Sequence, residues 1–378
     1  MRAAGGPRAR IPLRPVGRYV VKLGSNIVAR DDGSLREDVL RHICGEIAGR
    51  HRAGDDVVVV TSGAIARGIA VMGLKGRPGG LGDLQAASAV GQGKLYRAYD
   101  ELLRADGVTS AQVLLTFFDL SERGHYLNAR RTLARLLDWR VVPVINENDP
   151  TATEEITFGD NDFLAAQVAI LVGADRLVLL TNQDGLHVSD PRVDPAAALV
   201  REVTDVAELR AFQIGQSPSL LGSGGMRSKV VAAEMATAAG IPTTICSGLR
   251  EGGLARALAG EAEGTSFAPQ EQRYSSFELW LKYAKPSHGT VVVDAGAARA
   301  LREGGASLLP VGVVEVRGGF GQGDAIEVSD GASVIGKGIS SYSAADQRRV
   351  LGKKSDEVRK LLPRAADETV HRDYFVLA

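Results

Sequence analysis

Cysteine is scarce: there are two in 378 residues, Cys44 and Cys246. Both lie inside apolar patterns and neither sits at a metal-ligand spacing, so they read as buried reduced thiols. An excess of one charge is also missing. Lys plus Arg number 45 and Asp plus Glu number 45, so no global field points to nucleic acid or an anionic membrane. No uninterrupted apolar run approaches the ~20 residues of a membrane span. Residues 1–30 hold seven Lys or Arg and no acid. No apolar h-region follows them, so they are not a secretory signal. Residues 1–18 read as a disordered extension, and a reducing cytoplasm fits the whole set.

What is present is an ordinary globular composition, 44% hydrophobic and 24% charged, long enough for two or three domains. The most informative stretch is 141–162, VVPVINENDPTATEEITFGDND. Its β-branched start reads as a buried strand that stops at Asn146-Glu147-Asn148-Asp149-Pro150. Pro150 cannot continue a ladder. Polar side chains at the carboxyl end of a buried strand are where open α/β sheets place ligands. Gly159-Asp160-Asn161-Asp162 then opens an apolar helix pattern over 163–171, with Asp160 or Asn161 as the cap. Two ordinary turns are the plain alternative, since these residue types are the commonest in turns.

Similar strand-to-turn junctions recur. YVVKLGS at 19–25 carries Lys22 within an apolar strand pattern, unusual for a lysine. It either meets an anion at the strand end or snorkels from an edge strand. VVVVTSGAIA at 57–66 runs strand, small residues, helix, an arrangement that aims backbone N–H groups at an anion. It is neither a Walker A loop nor a GxGxxG fingerprint. Residues 73–82 hold five glycines and read as a mobile loop. Strand 176–180 ends in Thr181-Asn182. LLGSGGMRSK at 220–229 joins a flexible glycine segment to a helix, with Lys229 in the first turn, where the dipole disfavours a cation.

Alternating βα patterns over 19–260 predict a three-layer α/β domain with a mostly parallel sheet. Residues 261–278 read as a polar linker. Short strands with Gly-rich turns over 279–365 predict a small β-barrel-like module, followed by a tail at 366–378. Residues 275–378 carry 14 basic and 13 acidic side chains. That balance lacks the basic stripe of a phosphate-backbone binder.

Strand-end turns of one parallel sheet can converge on one edge. Two lysines, two glycine-containing turns and a set of Asn and Asp suit a migrating phosphoryl group. No Ser-His-Asp order, reactive thiol or histidine cluster accompanies them. A carboxylate acceptor would need no general base, being ionised at neutral pH with a pKa of about 4.3.

VVKLGS at 20–25, VVVVTSGAIA at 57–66, VVPVINENDP at 141–150, GDND at 159–162 and GSGGMRSK at 222–229 resemble the signatures of the glutamate 5-kinase group of the amino acid kinase family. SLLPVGV at 307–313, within residues 289–362, resembles an appended PUA domain. The resemblance implies ATP and L-glutamate as substrates, L-glutamyl 5-phosphate as product, and Mg²⁺ held by the phosphates and water, with no metal-ligating side chains. It gives catalytic roles to Lys22 and Lys229 on the phosphates and to Asp162 between them. Ser62, Asp149, Asn161, Asn146 and Asn148 would hold glutamate. Lys22, Thr181, Asn182 and the run Ser223, Gly224, Gly225, Met226, Arg227, Ser228 and Lys229 would line the ATP site. Asn182 departs from the family's usual Asp. The family further implies feedback by L-proline, and a homo-oligomer and a glutamyl phosphate reductase partner are expected with it; the missing apolar span and the balanced charge, not the family, argue against membrane and nucleic acid. Two alternatives are a sibling kinase with another acyl or phosphate acceptor, and an RNA-associated PUA protein.

Overall fold

A computed structural model describes residues 16–116, 119–120, 123–151, 161–205, 209, 225–270, 276–279, 281–282, 285, 287–303, 305–362 and 366–378. Most of the extension expected at 1–18 lies outside them.

The larger sheet has eight strands, in the order β3 (Ser110–Leu115), β4 (Val142–Glu147), β2 (Asp56–Val60), β1 (Arg18–Leu23), β5 (Arg176–Thr181), β7 (Thr243–Ser247), β8 (Thr265–Phe267) and β6 (Glu202–Val203). All neighbouring pairs run parallel except β7 with β8. The central strands are apolar on both faces because helices cover both. Val20, Val58, Leu177 and Leu179 belong to one core, which takes in the helices Asn161–Val172 and Met226–Ala238. Val21, Val57, Val59 and Val178 belong to the other, with the helices Glu37–Arg52 and Leu81–Ala105. The period of two along each strand sets this division.

Helix Ala64–Met72 packs against Leu81–Ala105 through glycines. A Cβ on Gly68 would come within 1.8 Å of the Ala87 carbonyl oxygen, and one on Gly91 within 1.9 Å of the Ala64 oxygen. Only two missing side chains allow that approach, and it fixes where the face of the longer helix lies.

The second unit is a five-stranded sheet: β10 (Val313–Gly318), β9 (Ser287–Val293), β11 (Ala325–Ser329), β12 (Val334–Ser340) and β13 (Val370–Leu377). Only β9 and β11 pair in parallel. It has its own core, including Val291, Ile326, Val328 and Val370.

Three boundaries differ from the sequence expectation. Thr265–Phe267, inside the expected linker 261–278, forms β8, with Thr265 and Phe267 buried against β7. A three-residue strand is too short for periodicity to reveal. Leu279, at the end of the Ser276–Leu279 turn of helix, is buried in a core cluster of the first domain. Leu281 packs instead with Ala325 and Val376 of the second unit. The expected tail at 366–378 supplies β13, which pairs antiparallel with β12.

Candidate active site

Lys22 is level with Val60 on one side and Leu179 on the other, and Val60 is level with Ile145. Leu23, Thr61, Asn146 and Leu180 therefore leave the sheet together at its carboxyl edge. β1 is a central strand, so the edge-strand reading of Lys22 is wrong: the residue is 3% exposed. Two helices start at the same edge. Asp162 is the second residue of Asn161–Val172 and Lys229 the fourth of Met226–Ala238. Both helices contribute to one core cluster, which holds their N-termini side by side.

Lys22, Asp162 and Lys229 meet there. Lys22 Nζ lies 2.6 Å from Asp162 Oδ1, and Lys229 Nζ 3.0 Å from Oδ2. Ser228 Oγ donates to the same Oδ2 at 2.8 Å. Asp162 is fully buried and Lys229 is 6% exposed. Burial alone would push the Asp162 carboxyl up, but the two ammonium groups more than offset it and hold it well below the usual carboxylate range. The helix dipole favours Asp162 in its first turn and disfavours Lys229 in its own. The carboxylate is what lets Lys229 stay at that position.

The Asn and Asp set forms the neighbouring wall. Asn161 Nδ2 donates to the Thr61 carbonyl oxygen and, at 2.8 Å, to Asn146 Oδ1. Asn146 Nδ2 donates to Gln92 Oε1. Ser88 Oγ donates to Asp149 Oδ2 at 2.5 Å. Burial pushes the Asp149 carboxyl up, opposed in part by the Ser88 hydroxyl and by Arg77. Asp149 opens the short 3-10 turn Asp149–Thr151, and Asn148 N–H donates to the Leu115 carbonyl at 3.0 Å. No side-chain hydrogen bond of Asn148 occurs among the described residues. Ser62 and Gly63 link β2 to helix Ala64–Met72, and Gly63 takes φ 103° there, a left-handed turn that favours glycine.

On the other flank, Thr181 ends β5 and its carbonyl accepts from Gly248 N–H at 2.9 Å. Thr181 Oγ1 donates to Asn182 Oδ1 at 3.4 Å. Gly225 precedes the Met226–Ala238 helix in extended geometry, Met226 is half-buried and Arg227 is exposed. Ser223 and Gly224, and the Gly159-Asp160 turn, lie outside the described residues.

Ser88, Gln92 and Tyr99 were not anticipated. All three project from helix Leu81–Ala105, Tyr99 by a 2.8 Å hydrogen bond to Thr61 Oγ1. The signal lay in the apolar stripe of Leu95, Tyr99 and Leu103, whose earlier positions hold the polar pair Ser88 and Gln92. Neither cysteine takes part: burial pushes both thiols up to about 12, which leaves them protonated and inert. Among the described residues there is no group of three or more His, Cys, Asp or Glu that could hold a metal. No described helix is long and apolar enough to cross a membrane.

A parallel sheet presenting buried lysines and two helix N-termini at one edge is an arrangement suited to phosphoryl oxygens. In agreement, residues 17–247 match the model of the amino acid kinase family and residues 289–362 that of the PUA domain. The glutamate 5-kinase of Meiothermus ruber is 46% identical over 373 residues, covering 98% of each chain. That of Acidovorax ebreus is 45% identical over 97% of this chain and 98% of its own, and that of Nitrosospira multiformis 44% over 97% and 99%. The chain belongs to the amino acid kinase family and, within it, to the glutamate 5-kinase group.

Proposed function

We propose that the chain transfers the γ-phosphoryl group of ATP to the side-chain carboxylate of L-glutamate, giving L-glutamyl 5-phosphate, the first step of proline synthesis. The observation that carries this reading is the buried Lys22–Asp162–Lys229 triad standing beside the Asn and Asp wall. Lys22 and Lys229 neutralise the charge that spreads over the phosphoryl oxygens in the transition state. Asp162 keeps both ammonium groups at the spacing needed. The glutamate carboxylate is its own nucleophile at neutral pH, which explains why no base is required.

Asp149 partners the α-ammonium, with Asn161, Asn146, Asn148 and Ser62 around the rest of the amino acid. Thr181, Asn182 and the segment from Ser223 to Lys229 border the nucleotide. Asn182 brings no charge to that border. Mg²⁺ arrives as part of the MgATP substrate, held by phosphate and water oxygens. The acyl phosphate product is labile, which suits direct hand-over to a reductase, and the chain is read as a homo-oligomer. L-Proline shares the α-carboxylate and cationic amine of glutamate. It inhibits by competing for Asp149 and its neighbours, and raising glutamate relieves it.

The test traps the acyl phosphate as a hydroxamate with hydroxylamine. L-Glutamate supports turnover; N-acetylglutamate, with no ammonium for Asp149, does not. Equal rates with both end the assignment.

A further inference from the structure

The polarity of the amide chain at the glutamate wall follows from one atom that cannot change role. The Thr61 oxygen is a backbone carbonyl and only accepts, so the Asn161 atom facing it is the amide nitrogen. Asn161 Nδ2 then gives its second proton to Asn146 Oδ1. That turns Asn146 Nδ2 outward, where Gln92 Oε1 receives it. The chain Gln92–Asn146–Asn161 thus runs in one direction only. Its far end is Asn161 Oδ1, buried and without a hydrogen-bond partner among the described residues. Asn161 is 4% exposed, so this is an acceptor held ready for a donor.

The same helix face controls Asp149. Ser88 and Gln92 are one turn apart, and Ser88 Oγ donates to Asp149 Oδ2 at 2.5 Å. Tyr99, further along that helix, is hydrogen-bonded to Thr61 Oγ1. Gly91 seats the helix against the Ala64–Met72 helix so closely that no side chain fits between them. One rigid helix therefore touches Thr61, Asn146 and Asp149 together.

We infer that Ser88 and Gln92 are positioning residues for the acceptor amino acid. They set which atoms of Asp149 and Asn161 face the ligand, so that both present oxygen to its α-ammonium. The inference rests on the proposed reading of this site as the glutamate site. Gln92 acts through Asn146, and Ser88 through Asp149; neither is assigned contact with the reacting atoms.

The experiment compares Gln92→Leu, which removes the acceptor, with Gln92→Glu, which keeps one. Gln92→Leu should raise the glutamate KM about tenfold, the effect of leaving one buried donor unpaired, and leave the ATP KM within about twofold. Gln92→Glu should restore the glutamate KM to within about threefold of wild type. Ser88→Ala, a smaller change, should raise the glutamate KM and spare that for ATP, which keeps the test open if Gln92→Leu folds poorly. In the free protein, the side-chain amide protons of Asn146 should shift and exchange faster in Gln92→Leu. That NMR measurement needs no turnover, so it is separate from whether wild type phosphorylates glutamate. Equal rises in both KM values, no rescue by Gln92→Glu, or unchanged Asn146 amide protons overturn the inference.

Discussion

Replacing Asp162 by Asn removes the charge between two buried ammonium groups and keeps the side-chain shape. At 2.6 and 3.0 Å and an effective dielectric of about 20, each attraction is about 6 kcal/mol. Three ions taken from water cost several kcal/mol each, so the intact triad is close to neutral for stability. The variant is not. It keeps the desolvation of both lysines and loses the attraction, a loss of about 3–5 kcal/mol for a broken buried pair. At roughly 2–4 °C per kcal/mol for a domain of this size, Tm should fall by about 6–20 °C. The phosphates of a nucleotide offer the lysines a replacement anion. A non-hydrolysable ATP analogue should therefore stabilise Asp162→Asn more than wild type and recover part of the deficit. Turnover should still fall, by about 10–100-fold, because nothing holds the lysines at their spacing. Thermal unfolding with and without the analogue, beside the hydroxamate assay, measures all three effects. A fall in Tm under about 2 °C without nucleotide, or one that the analogue does not reduce, would refute the electrostatic argument.

Asp149→Ala should raise the glutamate KM far more than the ATP KM, since on the proposed reading the lost partner binds the amino acid; steady-state kinetics in both substrates check this, and a selective rise in the ATP value shows that the role is misplaced. Because burial raises the Asp149 carboxyl, its ionised form is lost at a higher pH than for a free carboxylate. The glutamate KM should therefore climb as pH falls toward mild acid. The Asp162 carboxyl is depressed, so the stability it contributes is present above the unfolded value of about 3.9 and is lost only as pH falls through its lower folded value. The ATP KM should stay flat over the same mildly acidic range, and parallel pH profiles would contradict the pair of shifts. Truncation after Leu279 should leave a soluble kinase with activity within about tenfold of the full chain. Truncation after Ala268 exposes the site of buried Leu279 and should cost about 1.5–3 kcal/mol more, read as a lower Tm.

Much of this was legible because the first domain is a parallel sheet. Buried strands such as Val57–Val60 read as apolar runs, and their ends carry the polar residues that parallel topology gathers at one edge. The convergence of Lys22, Asp162 and Lys229 followed from that rule, but their ion pairing did not, since no periodicity relates residues 140 and 67 positions apart. Strand β8 was missed because three residues carry no pattern, and β13, on a sheet edge, because the exposed run Arg372-Asp373-Tyr374 at its centre breaks any alternation. The role of Ser88 and Gln92 was hidden for a different reason. Both fall on the buried face of an otherwise apolar stripe, and only the Gly68–Gly91 contact brings that stripe over the 146–149 turn.

The two halves of the site solve opposite electrostatic problems with the same means. On the proposed reading, two cations at the phosphate side must stay charged in a buried place before any substrate arrives, and the amino-acid side is the other wall. One carboxylate with a depressed pKa holds them. At the amino-acid side, an anion and a neutral acceptor must wait for a cation. Here burial raises the Asp149 carboxyl, and the Ser88 hydroxyl and the charge of Arg77 offset part of that rise. A lysine bonded directly to Asp149 would form an ion pair that the substrate ammonium would then have to displace, whereas the directly bonded group is the Ser88 hydroxyl, which stabilises the carboxylate while leaving its charge. On the proposed reaction, that difference is what makes one wall select the migrating phosphoryl group and the other the amino acid that receives it.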